Sequence, residues 1–275
     1  IRKSWLVALL IMVLVSGCST PSTNVNREPQ KYPQRIISLV PSATEMIHAV
    51  GASDRLVGVT LNDNYPPLVT QLPKVGDMTI DLEKIMSLEP DLVVLDSAFK
   101  QNKQPLEELK IPVLELRCER LEDVPRSMLE LGKALGVQES AQLQAEAFKN
   151  EIATIQPLDQ EQTVFIEVWG TPLQTVGSET LSNDILTAVG LKNCYADQES
   201  YFQVDPEDVL SRRPDIVLCP TQSPQAPIES RALEILKETG QTPRVVVIDA
   251  DIFFRPGPRL IDGIKELRRQ LEKSH

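Results

Sequence analysis

The sequence predicts an α/β fold of two similar lobes, each built on a parallel sheet, joined by a single long helix. Three observations predict it. First, the stretch Asp81 to Leu95 returns 124 positions later as Asp205 to Cys219. Identical residues stand at Asp81/Asp205, Glu83/Glu207, Ser87/Ser211, Pro90/Pro214, Asp91/Asp215 and Val93/Val217. Each copy reads as a short helix, a Pro-Asp stop and a strand, and the apolar run after Pro-Asp does not alternate, which suits a strand covered on both faces. Second, Glu45 to Gly51 and Asp184 to Gly190 both read as amphipathic helix ends closed by a glycine beyond the cap. The two echoes keep the same order, which points to duplication. Third, Glu139 to Ile155 is dominated by Ala, Gln, Glu, Lys and Leu, with neither Gly nor Pro before Pro157. Between two lobes, such a helix is a stiff spine.

The elements follow in order. Arg2 and Lys3 precede an apolar run from Trp5 to Val15 and then Val15-Ser16-Gly17-Cys18. That is a charged region, an apolar stretch short for a membrane span and a small-residue cleavage site. Its ending resembles the lipobox of bacterial lipoproteins, so residues 1–17 are expected to be a signal peptide and Cys18 the lipidated residue. The chain would then be exported and held to a membrane by lipid alone, facing the periplasm or the cell exterior. Residues 18–33 read as a flexible tether. An N-terminal lobe is expected over 34–137, the linking helix over 138–157 and a C-terminal lobe over 158–275. In the first lobe, strands are expected at Arg35 to Val40, Arg55 to Val59 and Pro112 to Leu116, and a helix over Leu121 to Leu135. Ser42, with Glu45 three residues on, matches a capping box. In the second lobe a strand at Val164 to Val168 leads into a loop, Trp169 to Glu179. Later come a Pro- and Gln-rich loop at Pro220 to Pro227, a helix, a strand at Val245 to Ile248 and a last helix reaching Leu271.

Composition excludes several functions. The chain holds two histidines, His48 and His275. His48 falls in a helix and reads as a packed or surface residue, so a Ser-His-Asp triad and a histidine-rich zinc site both lack their histidines. No glycine-rich nucleotide fingerprint is present. The net charge of −11 repels nucleic acid. No catalytic residue, metal site or cofactor is expected. Cys194 and Cys219 are the candidate disulfide pair, with Cys118 left over; the alternative is three reduced, buried thiols, and spacing does not choose between them.

With these features in hand, the chain resembles the solute-binding proteins of bacterial ABC importers, in the class that serves cobalamin, haem and iron–siderophore importers. Its likeness is greatest to cobalamin-binding proteins. The residues carrying the resemblance are Arg35 to Glu45, Leu56 to Val59, Asn64 to Pro67, Asp81 to Leu95, Val204 to Glu207 and Arg255 to Arg259. It implies two Rossmann-like lobes of a class III periplasmic binding protein, acting as a monomer that captures a small-molecule metal chelate, cobalamin first, for an ABC importer permease. The runner-up ligands are iron–siderophores and haem. It also implies that Glu83 and Glu207, one per lobe, dock the permease. Ligand is expected between the lobes, at Ser42, Asn62, Tyr65, Asp77, Met78, Asp96, Trp169, Tyr201, Phe202, Phe253, Phe254 and Arg255. Asn62, Asp77 or Met78, and Asp96 stand where cobalamin binders often carry aromatics. Asp63, Asp77 and Asp96 would make the first lobe's face acidic, favouring a neutral or cationic ligand.

Overall fold

A computed structural model describes residues 32–222 and 227–272. The signal segment, Cys18 and most of the tether lie outside the described residues. The first lobe runs β1 (Ile36–Ser38), α1 (Pro41–Ala49), β2 (Leu56–Gly58), α2 (Leu82–Ser87), β3 (Leu92–Asp96), α3 (Lys103–Glu108), β4 (Val113–Leu116) and α4 (Asp123–Leu135). The spine is α5 (Gln138–Thr154). The second lobe runs β5 (Thr163–Ile166), β6 (Trp169–Gly170), β7 (Leu173–Val176), α6 (Leu181–Ala188), β8 (Lys192–Asn193), β9 (Tyr201–Gln203), α7 (Pro206–Arg212), β10 (Ile216–Thr221), α8 (Arg231–Glu238), β11 (Arg244–Asp249), α9 (Ala250–Phe253) and α10 (Leu260–Glu272).

Each lobe carries a four-stranded parallel sheet, in the order β2-β1-β3-β4 in the first and β11-β10-β5-β8 in the second. The non-alternating apolar runs have the structural cause expected of them. Along β3, Leu92 and Val94 enter one apolar cluster and Val93 and Leu95 another. Along β10, Ile216 and Leu218 join the first of these clusters, while Val217 and Cys219 enter a third. Both sheets are therefore covered on both faces. One of the two covers is a core shared across α1, α4, α5 and α10.

The Pro-Asp joint works the same way in both copies. The residue before the proline is left-handed in each, Glu89 at φ 46° and Arg213 at φ 47°. The aspartate after it then clamps the lobe's first strand. Asp91 accepts from the backbone N–H groups of Gln34 and Arg35, both at 2.8 Å. Asp215 accepts from the N–H and Oγ1 of Thr163 at 2.7 and 2.8 Å. Helix ends repeat too: Gly51 and Gly190 follow α1 and α6 at φ 83° and 81°, a conformation that disfavours any side chain. The spine packs closely on α4 because Gly132 has no Cβ; one would fall on that of Ala141.

Two local readings need correction. Helix α1 begins with Pro41 at its first position, capped by the extended Val40 without a side-chain bond. Ser42 is thus a buried helical residue and no capping box forms. The stretch Trp169 to Glu179 is not a plain loop: β6, β7 and β9 make a small antiparallel sheet.

Candidate ligand cleft

In a parallel sheet the loops at the carboxyl ends of the strands are free to meet a ligand. Here those ends meet each other. The loop after β2 supplies Asn62 and Asn64; α9, directly after β11, supplies Asp251, and the turn beyond it supplies Arg255. Asn64 Nδ2 donates to Asp251 Oδ2 at 2.6 Å, and Arg255 donates to Asn64 Oδ1 at 2.7 Å and to the carbonyl of Asn62 at 3.1 Å. The two sheets therefore point their carboxyl ends at a common interlobe region.

A deeper connection lies behind this one. Glu45, 2% exposed, accepts from Arg259 Nε at 3.0 Å and Nη2 at 2.5 Å, with Arg255 at 3.6 Å. The Arg259 guanidinium also stacks 4.2 Å from the centre of the Tyr65 ring. At the other edge Arg120, after β4, grips Asp184 of α6 through Nε and Nη2 at 2.8 and 2.6 Å. Sequence reasoning missed both pairs. Glu45 and Arg259 are 214 residues apart, and nothing in local spacing links them.

The expected site residues divide sharply. Trp169 and Tyr201 are 62% and 51% exposed. In the antiparallel sheet Trp169 lies opposite Gln174, and Gln174 opposite Gln203. Directly opposed residues share a face, as do residues two apart, so Trp169 and Tyr201 sit on one face. Leu173 and Phe202 occupy the other and pack on the second-lobe core, Phe202 edge-on to Tyr195. On the first lobe Met78 is 62% exposed, and so is Leu61 at 64%, an apolar residue that sequence reasoning did not single out. Their loops are joined: the Leu61 N–H donates to the Gly76 carbonyl at 2.9 Å and Asn62 donates to Asp77 at 2.7 Å.

Several others are buried or engaged in contacts within the protein. Phe253 is fully buried in the core, and Phe254 packs edge-on against it. Ser42 is buried. Tyr65 is committed to Arg259 and to an edge contact with His48. Arg255 spends its donors on Asn62, Asn64 and Asp251, so it fastens the lobes together.

The acidic face also needs correction. Asp63 and Asp96 are buried, at 3% and 8% exposure. Asp63 accepts from the N–H and Oγ1 of Thr60, and Asp96 from the N–H of Ala98. Burial pushes both carboxyls above the usual range. Only Asp77 of the three faces solvent.

The candidate disulfide is absent; Cys118, Cys194 and Cys219 are free. Cys194 follows β8 and Cys219 lies in β10, with β5 between those strands. Two strand spacings, about 10 Å, exceed the reach of a disulfide. Among the described residues no group of three or more His, Cys, Asp or Glu could hold a metal, and no helix is long and apolar enough to cross a membrane.

Glu83 and Glu207 are exposed at the second position of α2 and α7, equivalent places in the two lobes. Asp81 caps α2 by accepting from the Lys84 N–H at 2.9 Å, whereas α7 starts on Pro206.

Comparison with known proteins places this architecture among others. A family model described as periplasmic binding protein matches residues 36–251. The ABC transporter substrate-binding lipoprotein YvrC of Bacillus subtilis (strain 168) is 31% identical, with 97% of this chain and 96% of that protein covered. The vitamin B12-binding protein of Pectobacterium carotovorum subsp. carotovorum (strain PC1) is 31% identical, with 87% and 88% covered. Among solved structures, the periplasmic vitamin B12 binding protein BtuF of Vibrio cholerae superposes with a TM-score of 0.73 at 27% identity, over 87% of this chain and 97% of that one.

Proposed function

The chain belongs to the periplasmic binding protein family, and we propose that it captures cobalamin or a related corrinoid between its lobes and delivers it to the permease of an ABC importer. It is an exported substrate-binding protein of the importer class that carries vitamin B12, haem and iron chelates. The observation that carries the corrinoid reading is the exposure of large apolar groups on both lobes, in segments that follow the carboxyl ends of the sheet strands. Trp169 and Tyr201 stand on one lobe, and Leu61 and Met78 on the other. Large apolar side chains left in water at such a place suit a broad, flat ligand held by stacking.

Glu83 and Glu207 dock the permease in this reading. Two carboxylates, one on each lobe, orient the complex and speed its formation more than they deepen its affinity. Lipid on Cys18 holds the protein at the membrane.

Calorimetric titration of the purified protein with cyanocobalamin tests the ligand. Saturable one-to-one binding supports it; no heat and no retained corrinoid absorbance overturns it. A second reading, an iron–siderophore or haem ligand, gains from one observation. With Asp63 and Asp96 buried and Asp77 alone of the three exposed, the first lobe repels an anionic chelate less. Haem and ferric chelates are the next titrants. Docking is tested separately: Glu83→Ala/Glu207→Ala should bind ligand normally and fail to stimulate the importer's ATPase.

A further inference from the structure

Besides the Asn64–Asp251–Arg255 network, two arginine–carboxylate pairs join the lobes, and they are built differently. The Glu45 connection is dry and tight. Its carboxylate is 2% exposed, Arg259 meets it through two nitrogens, and the ring of Tyr65 covers the guanidinium. Backbone also crowds in: a Cβ on Gly257 would lie 3.1 Å from Glu45 Oε2.

The Arg120 connection is bidentate too, but its arginine lies open to solvent. The Arg120 side chain is 42% exposed, against 17% for Asp184. The loop presenting Arg120 is shaped by Asp123, which accepts from the N–H groups of Glu119 and Arg120 at 3.0 and 2.9 Å. Leu121 adds an N–H to Asp184 at 3.0 Å. Beside this pair lies a cavity of about 510 Å³. Leu121, Pro125, Phe148 and Ile152 wall it from α5 and the first lobe, and Thr187 and Ala188 from α6.

We propose that Arg120 and Asp184 are positioning residues that form a releasable latch, and that the lobes rock about the Glu45–Arg259 contact. Breaking a desolvated pair strands a charge, whereas breaking a pair whose arginine already reaches water costs less and is more strongly screened by salt. The cavity has the same sense. Few atoms touch across it, so little dispersion attraction is lost when α6 moves relative to the spine, and there is room for it to move. Rocking carries Trp169 and Tyr201 relative to Leu61 and Met78, so the latch sets how wide the binding surfaces gape. The inference rests on the fold and not on the ligand's identity.

Pulsed dipolar spectroscopy on the full chain tests it, with spin labels on Glu108→Cys and Glu238→Cys, exposed positions on opposite lobes, in a Cys18→Ser background. The parent should give a narrow interlobe distance distribution in low salt that broadens in molar salt. Arg120→Gln and Asp184→Asn should be broad in both, with about fivefold more of the open population. Arg120→Lys should recover part of the narrowing, and Ala188→Leu, which fills the cavity, should narrow the parent further. A distribution in Arg120→Gln that matches the parent overturns the proposal. So does equal salt broadening in both. Because no ligand is added, a failed cobalamin titration leaves this outcome readable by itself.

Discussion

Replacing Glu45 by alanine should be among the most damaging single changes in this protein, and the structure says by how much. Glu45 sits 2% exposed with Arg259 bound through two contacts and Arg255 nearby at 3.6 Å. Arg255 keeps Asp251 and Asn64 in the variant, so its loss is small. Arg259 keeps only the Tyr65 ring among these partners. Removing one member of such a buried pair costs about 3–5 kcal/mol, and the retained ring contact returns about 1 of that, leaving about 3 kcal/mol. For a chain of this size that is a fall in Tm of roughly 6–12 °C. Arg259→Ala should fall by a similar amount, because it strands the carboxylate instead. The double variant strands neither charge, so its loss should be about 2 kcal/mol smaller than the sum of the single losses. Urea unfolding of the four proteins, with a shared m-value, measures this coupling. Additive losses, with coupling below about 0.5 kcal/mol, would refute the reasoning and mean that water already solvates both groups.

Trp169→Ala should weaken corrinoid binding by about 1–2 kcal/mol, or roughly 5- to 30-fold, in the same calorimetric titration; an unchanged affinity would remove Trp169 from the cleft. Burial pushes Cys118 and Cys194 up to about 12 and Cys219 up to about 11. An aromatic disulfide reagent at neutral pH should therefore leave these three thiols unreacted in the native protein and titrate all three in denaturant, and fast native reaction of any of them would contradict their burial. Asp63 has a folded pKa raised chiefly by burial, against the pull of Thr44, Thr60 and Lys74. Its raised value means that the stability it contributes is present below the unfolded pKa and is lost as pH rises through the folded pKa. Asp63→Asn should remove that loss, so the stability difference between mildly acidic and neutral pH should shrink; an unchanged pH profile would show that Asp63 does not carry it.

The lobes, sheets and spine were legible because their signals are local and repeated. The Pro-Asp joint announces itself twice, and both its aspartates turn out to clamp a first strand. The long helix needed only composition and the absence of breakers. The small antiparallel sheet was not legible. Gly170, Pro172 and Gly177 look like loop punctuation, and a two-residue strand has no period to detect. Ser42 and Glu45 matched a capping box, yet Pro41 took the first helical position and left Glu45 free for an arginine at the far end of the chain. The aromatic residues illustrate the same limit within the site. Residue type nominates Trp169, Tyr201, Phe202 and Phe253 alike. Only packing separates the two that face water from Phe202, turned to the second-lobe core, and Phe253, which fills the shared one.

The clamp at each Pro-Asp joint also dictates an order of events. In both lobes the first strand made is an inner strand, flanked by strands that come later in the chain. Every pairing in the two lobe sheets is parallel, so none can close as a hairpin. Arg35 waits 56 residues for Asp91, and Thr163 waits 52 for Asp215. A chain emerging amino end first thus carries β1, and later β5, as strands with nothing yet to pair with. Long-range closure of this kind is slow. Each lobe's first strand therefore gains its clamp and its inner neighbour only after more than fifty further residues have been made.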